Sequence, residues 1–214
     1  CRVTGVEKTI LFDTGGKGEF LLANMKKMKL SPKDVALIVI SHNHGDHTGG
    51  LRPFLKENPD VSVFVPAKTP DGFVKEIQQI AADVTVVNKP TTICDGAVVL
   101  GPTGDKIIEQ ALVLDTKKGL VIIAGCSHPG VEVIAKRAKE ELHRDIHMVL
   151  GGMHLLRHSD DDLRAVIDDL KKLGVQEVAP THCSGDKAIS MFQETFGDGF
   201  FKVGVGRVIE IDVR

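Results

Sequence analysis

Apolar and polar positions in the first hundred residues switch between two periods, which predicts strands and helices in turn. Short apolar runs predict strands over residues 3–12, 35–40, 61–65 and 84–87. Apolar residues spaced three to four apart predict helices over 18–28 and 50–56, and a further helix with Phe73, Ile77 and Ile80 on one face.

The second half of the chain shows the same alternation. The stretch "ALVLDTKKGLVIIAG" predicts a β-hairpin that turns at 117–119, because apolar runs flank a polar turn containing glycine. The other predicted elements are helices over 131–142, 160–173 and 186–195, strands over 147–150 and 175–179, and a closing hairpin over 200–213. The helix over 160–173 has Ser159 as a cap and Gly174 at its end. Alternating strands and helices predict an α/β fold, with two sheets packed face to face and helices outside.

Composition restricts the class of protein. A chain of 214 residues with 42% hydrophobic residues predicts one compact domain over 1–214. A formal charge of −2 and the lack of Trp and Tyr argue against nucleic acid as a partner, so we expect a small-molecule substrate. No apolar run approaches the ~20 residues of a membrane span, and a homo-oligomer is left open.

The cysteines and the first residue carry two further expectations. The four cysteines show no CxxC spacing, which favours a reducing compartment and a cytoplasmic protein. The chain begins at Cys1 and enters an apolar run almost at once, so we expect that a natural N-terminal segment is missing.

The stretch "VISHNHGDHTGGL" places His42, His44, Asp46 and His47 within six residues, directly after an apolar run. Alternate residues of an extended segment point the same way, so His42 and His44 can reach one ion together. Imidazole suits zinc, manganese or iron, and a neighbouring carboxylate can bind a second ion. A solvated polar turn is the alternative interpretation of a histidine-rich loop.

Three later apolar runs also end in polar residues that can bind metal. "LVIIAGCSHPG" ends in Cys126 and His128, "HMVLGGMHLL" in His154, and "VQEVAPTHCSGD" in His182 and Cys183. Strands of an α/β sheet bring their carboxyl ends to one edge, so these ends are expected to converge on one crevice. Each histidine alone could be a hydrogen-bonded structural residue, but their coincidence at strand ends favours a shared site.

Together with "ILFDTGG", these motifs resemble the metallo-β-lactamase superfamily over essentially the whole chain. The resemblance implies a four-layer αβ/βα sandwich with a metal pair between the sheets. It implies one or two divalent transition metal ions, zinc first and manganese or iron as alternatives. His42 and His44 would bind the first metal, and Asp46, His47 and His182 the second. Asp13 would orient the ligand loop.

The sequence departs from the superfamily pattern at the end of the predicted hairpin. Cys126 stands where the superfamily has a bridging aspartate, and no histidine lies between Pro66 and Gly125. His128 is therefore the available substitute for a missing metal ligand. Cys126 could bridge the metals as a thiolate, or it could be a small buried apolar residue.

The favoured prediction of function is a metal-dependent hydrolase that cleaves an ester or phosphoester bond of a small molecule through a metal-bound hydroxide. Asp46 would orient that hydroxide or take its proton, and His154 would stabilise charge or protonate the leaving group. Within the superfamily, the motifs resemble the subgroup of 7,8-dihydropterin-6-methyl-4-(β-ribofuranosyl)aminobenzene-5'-phosphate synthase-like hydrolases. That subgroup implies the alternative, a synthase that condenses a pterin diphosphate with an aminobenzene ribonucleotide. A nuclease, an oxygen-reducing di-iron protein and a non-enzymatic binding module are less favoured.

Overall fold

The computed structural model describes residues 1–4 and 7–212, and the chain forms two compact units, Cys1–Pro102 and Thr103–Arg214. Gly5 and Val6 of the predicted first strand, and Val213 of the predicted closing hairpin, lie outside the described residues. Among the described residues, no helix combines the length and the apolar composition that crossing a bilayer requires.

The first unit contains a mixed sheet of five strands and a β-hairpin that is not part of that sheet. Its strands are β1 (Arg2–Val3), β2 (Ile10–Phe12), β3 (Leu37–Val39), β4 (Ser62–Pro66), β5 (Asp83–Val87), β6 (Thr91–Cys94) and β7 (Ala97–Val99). Its helices are α1 (Gly18–Lys27), α2 (Gly45–Thr48), α3 (Leu51–Glu57) and α4 (Asp71–Ile77). Strands β1 to β5 lie side by side in chain order. The pairs from β2 to β5 are parallel, and β6 and β7 form an antiparallel pair.

The core of the first unit surrounds β3. All three residues of β3 are buried, as expected for a strand with parallel neighbours on both sides. Ile38 shares a cluster of buried side chains with Phe54 and Leu55 of α3 and Val63 of β4. His42, the first histidine of the motif, lies three residues after β3, so this packed strand holds the beginning of the loop in place.

The second unit is built on three parallel strands. Its strands are β8 (Leu112–Thr116), β9 (Gly119–Ala124), β10 (Ile146–Gly152) and β11 (Glu177–Thr181). Its helices are α5 (Val131–Leu142), α6 (Asp160–Lys172) and α7 (Asp186–Phe196). β10 lies between β9 and β11, and Gly151 pairs with Ala124 on one side and Pro180 on the other. The three strands therefore end at the same edge, as predicted for this half of the chain.

The predicted N-terminal cap of α6 is confirmed. The Ser159 hydroxyl accepts a hydrogen bond from the Asp162 N–H, and the Asp162 carboxylate accepts one from the Ser159 N–H. Leu163, Ile167 and Leu170 are buried on one face. A reciprocal cap and one apolar face are local signals, which explains why the sequence predicted this helix well.

Two predicted elements are wrong within the described residues. The apolar run over 3–12 is two antiparallel strands, with Val3 paired to Ile10, because the exposed polar residues Glu7 and Lys8 interrupt it. No closing hairpin forms over the described residues 201–212, which contain only a turn at Val205 and Gly206. Apolar residues of this segment, including Val205 and Val208, are exposed and do not supply a buried strand face.

Two elements of the first unit were not predicted. The β6–β7 hairpin turns at Asp95-Gly96, a dipeptide that favours two-residue hairpin turns and could have revealed it. Helix α2 has only four residues and lies inside the histidine motif, where hydrophobic periodicity carries no signal.

Candidate metal centre

The histidine motif of the first unit brings its imidazole nitrogens close together. His42 is completely buried, and its Nδ1 lies 2.9 Å from the Ser41 hydroxyl. The other ring nitrogen, Nε2, lies 3.0 Å from Nδ1 of the exposed His44. His42 and His44 thus form a pair of nitrogen donors, as the motif predicted.

A second pair lies on α2. His47 is 5% exposed, and its Nε2 lies 3.4 Å from Oδ2 of Asp46, whose side chain is 56% exposed. The other ring nitrogen of His47, Nδ1, lies 2.6 Å from Oδ2 of Asp13. Because a carboxylate only accepts hydrogen bonds, this contact places the proton on Nδ1 and turns the Nε2 lone pair towards Asp46.

The separations in both pairs fit metal binding. A tetrahedral zinc site with Zn–N distances of about 2.0–2.1 Å separates its nitrogens by roughly 3.3 Å. The pairs His42–His44 and His47–Asp46 have donor separations of 3.0 and 3.4 Å. The resemblance assigns His42 and His44 to the first metal and Asp46, His47 and His182 to the second, and the donor separations within the first unit allow each of its two pairs to contact one ion.

Asp13 holds the start of this loop. Its Oδ1 accepts the Ser41 N–H at 2.7 Å, and its Oδ2 accepts the Ser41 hydroxyl at 2.7 Å in addition to His47. Asp13 lies directly after β2 and Ser41 two residues after β3, so the carboxylate joins two neighbouring parallel strands. This geometry agrees with the orienting role predicted for Asp13.

In the second unit, three strand ends bring together sulfur and imidazole groups. The potential ligand atoms of Cys126, His154 and Cys183 all lie within 4.8 Å of one another. The rings of His128 and His154 have centroids 4.3 Å apart. His182 is exposed and begins the one-turn 3-10 helix that also carries Cys183.

Cys183 is a candidate functional residue that the sequence placed at a strand end beside His182 but did not assign to a metal or to the reaction. Its pKa is lowered to about 5, chiefly by a hydrogen bond with Cys126, while burial opposes the shift and hydrogen bonds with His154 assist it. A thiol with this pKa is ionised at neutral pH, and the thiolate is the form that binds metals. The only sequence signal was its position beside His182 at a strand end.

Glu109 is the second residue that sequence reasoning missed as part of the site. Its side chain is completely buried, and Oε1 accepts the N–H groups of Gly125, Cys126 and Ser127 at 3.1, 2.9 and 2.9 Å. Its Oε2 accepts the His128 N–H at 2.9 Å. One carboxylate therefore holds the four consecutive residues that follow β9, and two of these are predicted to lie at the metal centre.

Backbone strain accompanies the same segments. Asp13, Ser127, His154 and His182 have φ values of 56°, 61°, 52° and 55°, in the left-handed region that non-glycine residues seldom adopt. Such conformations cost of order 1–3 kcal/mol each and concentrate at functional sites. In this chain they follow β2, β9, β10 and β11, at the points where candidate site residues leave the sheets.

We expect the substitution Gly152→Ala to separate the strand ends of the second unit. A Cβ at this position would lie 2.3 Å from the Gly125 carbonyl oxygen and 2.8 Å from Cys183 Sγ. Overpacking of this kind costs about 1–3 kcal/mol, measured as a lower midpoint of urea unfolding. The matched control is Gly72→Ala on α4, whose Cβ meets nothing within 4 Å. Equal unfolding midpoints for the two variants would contradict the tight contact.

Comparison with known proteins agrees with this architecture. A family model described as the metallo-beta-lactamase superfamily matches residues 2–201. A curated protein of Methanocaldococcus jannaschii, named 7,8-dihydropterin-6-methyl-4-(beta-D-ribofuranosyl)-aminobenzene-5'-phosphate synthase, is 32% identical, and the alignment covers 96% of this chain and 85% of that protein.

Solved structures agree as well. A crystal structure described as a metal-dependent hydrolase of the beta-lactamase superfamily is 31% identical with a TM-score of 0.82, and the match covers 95% of this chain and 89% of that one. A metallo-beta-lactamase fold protein of Bacillus subtilis is 12% identical with a TM-score of 0.65. The match covers 93% of this chain and 85% of that one, and at this identity it supports the fold alone. The predicted α/β fold of this superfamily is confirmed.

Proposed function

The chain is an enzyme of the metallo-beta-lactamase superfamily, and on that premise we propose that it is a synthase that joins a reduced pterin to an aminobenzene ribonucleotide. The observation that carries this proposal is the relative from M. jannaschii, which is named for the synthesis of such a compound and aligns with 96% of the chain. A superfamily fold alone would not specify a reaction, because one fold supports many chemistries.

The prediction that this enzyme hydrolyses an ester or phosphoester bond is wrong. The curated relative whose alignment covers 96% of this chain is named a synthase. The solved relative is described as a hydrolase in general terms, without a named substrate. The histidine motif favoured hydrolysis because a metal site readily activates water. Whether water or the arylamine acts as the nucleophile depends instead on which molecules the substrate pocket can bind.

The metal donors agree with the proposal. One or two divalent transition metal ions would be held by His42, His44, Asp46 and His47 of the first unit, and His128 and His182 are the candidate ligands of the second unit. Imidazole and carboxylate donors suit zinc, with manganese or iron as alternatives. A bound divalent ion supplies positive charge that polarises the phosphoryl oxygens of a diphosphate leaving group. The donor separations of 3.0 and 3.4 Å in the first unit support this role.

The reaction transfers the pterin methylene carbon from diphosphate to the arylamine nitrogen. A carbon–nitrogen bond forms, the carbon–oxygen bond to diphosphate breaks, and the diphosphate leaves with the electron pair. The exposed Asp46 carboxylate accepts the proton that the amine loses. His154, exposed at the end of β10, stabilises the charge that develops on the leaving group or protonates it.

The cellular setting is also a proposal. The substrates are small molecules, and the chain's formal charge of −2 does not favour nucleic acid. The cytoplasm is the proposed location, since the cysteine spacing gives no sign of a disulfide framework.

Incubation of the metal-loaded enzyme with a 6-hydroxymethyl-dihydropterin diphosphate and 4-(β-D-ribofuranosyl)aminobenzene 5'-phosphate is expected to give the coupled product and one diphosphate per turnover. Mass spectrometry detects the product, and a pyrophosphatase-coupled assay counts the diphosphate. A chelator should stop both, and added zinc should restore them. A panel of phosphodiesters and lactones serves as the negative control. Release of diphosphate without coupled product would refute the synthase.

A further inference from the structure

A cavity of about 600 Å³ opens in the second unit beside the candidate metal centre. Its lining residues are His154, Leu156, Arg157, His158, Asp162 and Cys183. Two of these, His154 and Cys183, also belong to the cluster of potential ligand atoms described above. The remaining four extend from that cluster to the start of α6, so the cavity leads away from the proposed reaction centre.

The wall of this cavity between β10 and α6 is held in a defined position. The Met153 N–H donates to the Ser184 hydroxyl at 3.2 Å, and the His158 N–H donates to the Leu155 carbonyl at 3.1 Å. Gly185 lies so close to Leu156 that a Cβ there would be 2.9 Å from the Leu156 Cα. The segment is therefore fixed at both ends and does not need to order before it contacts a ligand.

Arg157 and His158 are the hydrogen-bond donors that line the cavity outside the cluster containing His154 and Cys183. The carboxylates at the start of α6 have partners: Asp160 pairs with Lys187, and Asp161 pairs with Arg164 at 2.8 Å. Oδ2 of Asp162 accepts the N–H and the hydroxyl of Ser159, at 3.2 and 2.6 Å, and these bonds lower the pKa of Asp162. The Asp162 carboxylate is thus engaged at the helix cap, while the exposed Arg157 guanidinium can form the paired hydrogen bonds that phosphate favours.

Leu156 adds an apolar surface to the cavity. Its side chain is 71% exposed, although its backbone packs against Gly185. Ligand cavities commonly combine apolar contacts for a ring with a few polar groups that fix orientation. Leu156 can contact an aromatic or ribose ring, while Arg157 and His158 contact an anion farther from His154.

We propose that this cavity binds the aminobenzene ribonucleotide, with Arg157 and His158 contacting its 5'-phosphate and Leu156 packing against its ring system. The amine end then lies towards His154 and Cys183, where the proposed reaction takes place. This inference rests on the proposed synthase function. A diphosphate group is the other source of phosphate oxygens, and the test separates the two.

Isothermal titration calorimetry of the metal-loaded enzyme with the aminobenzene ribonucleotide, and separately with its dephosphorylated ribonucleoside, tests this subsite without turnover. For Arg157→Gln we expect ribonucleotide binding to weaken by about tenfold or more, since hydrogen bonds to charged groups are lost, and ribonucleoside binding to stay within about twofold. Arg157→Lys should restore part of the affinity. The control Arg164→Gln removes an exposed guanidinium that does not line the cavity and should leave both affinities unchanged.

The outcomes separate the subsite from the synthase proposal. Equal weakening of ribonucleotide and ribonucleoside by Arg157→Gln, or no weakening of either, overturns the subsite. Weakened binding of inorganic diphosphate with unchanged ribonucleotide binding also overturns it, because the cavity would then hold the leaving group. If the wild-type enzyme binds the ribonucleotide through Arg157 but never couples it to the pterin, the synthase proposal fails and the phosphate subsite stands.

Discussion

Replacement of His42 by alanine is expected to remove bound metal and to lower synthase turnover by more than about 100-fold. Loss of a residue that merely supports a ligand costs about 10–100-fold in metal affinity or activity, so loss of a ligand should cost more. His42 is completely buried, with Nδ1 beside the Ser41 hydroxyl and Nε2 3.0 Å from His44. No solvent-exposed side chain can readily take its place.

Elemental analysis of the purified variant measures the first effect, and the rate of diphosphate release measures the second. His182→Ala should behave in the same direction. The matched control is His143→Asn, because His143 is an exposed residue at the end of α5 whose left-handed backbone asparagine tolerates. If His42→Ala and His182→Ala both retain full metal content, the assignment of ligands is wrong.

Removal of the Glu109 carboxylate is expected to lower the free energy of unfolding by more than the Gly152→Ala substitution does. In Glu109→Ala, three buried N–H groups and the partly buried His128 N–H lose their acceptor, and each buried group costs roughly 1–3 kcal/mol when it is left unsatisfied. A total of about 4 kcal/mol or more is a large part of the 5–15 kcal/mol that stabilises a typical domain. The midpoint of thermal unfolding should fall by roughly 10 °C for a chain of this size.

Glu109→Gln separates the role of this residue in holding the loop from its role in folding. The amide keeps the shape and one acceptor oxygen but cannot accept the His128 N–H, so we expect a smaller loss of about 1.5–3 kcal/mol. Amide hydrogen exchange over residues 125–128 should accelerate, and metal content should fall. Glu140→Gln, on an exposed ion pair of α5, should change neither. Unchanged exchange at residues 125–128 in Glu109→Gln would contradict the proposed role.

The two units use the same physical device to hold candidate ligand loops. In the first unit, Asp13 accepts the Ser41 N–H, the Ser41 hydroxyl and His47. In the second unit, Glu109 accepts the N–H groups of four consecutive residues after β9. Hydrogen bonds to a charged, poorly exposed acceptor are stronger than those to a neutral one, so both loops are fixed before any ligand binds.

Much of the fold follows from local patterns. Helix α6 was predicted with its cap because Ser159, Asp162 and the apolar face lie within one short segment. The β8–β9 hairpin was predicted from apolar runs around a glycine-containing turn. The predicted closing hairpin does not form in the described residues 201–212, because apolar residues signal a strand only if a partner buries them, and Val205 and Val208 are exposed.

The candidate ligands follow from the sequence more completely than the groups that hold them. His42, His44, Asp46 and His47 lie within six residues of one loop, so their proximity is largely local. Asp13 was expected to orient the loop only because the motif resembled a family. Glu109 carried no such signal, since a glutamate between Ile108 and Gln110 has no local feature that shows which backbone groups it will contact.

By itself, the sequence determined the alternation of strands and helices, the superfamily, and the residue types that can bind a metal, because each depends on spacing within a short segment. Only the tertiary structure decided that Glu109 supports residues 16 to 19 positions further along the chain, and that Cys183 acquires a pKa of about 5 beside Cys126. Those properties arise from hydrogen bonds and burial between distant segments, and such contacts exist only once β9, β10 and β11 have paired.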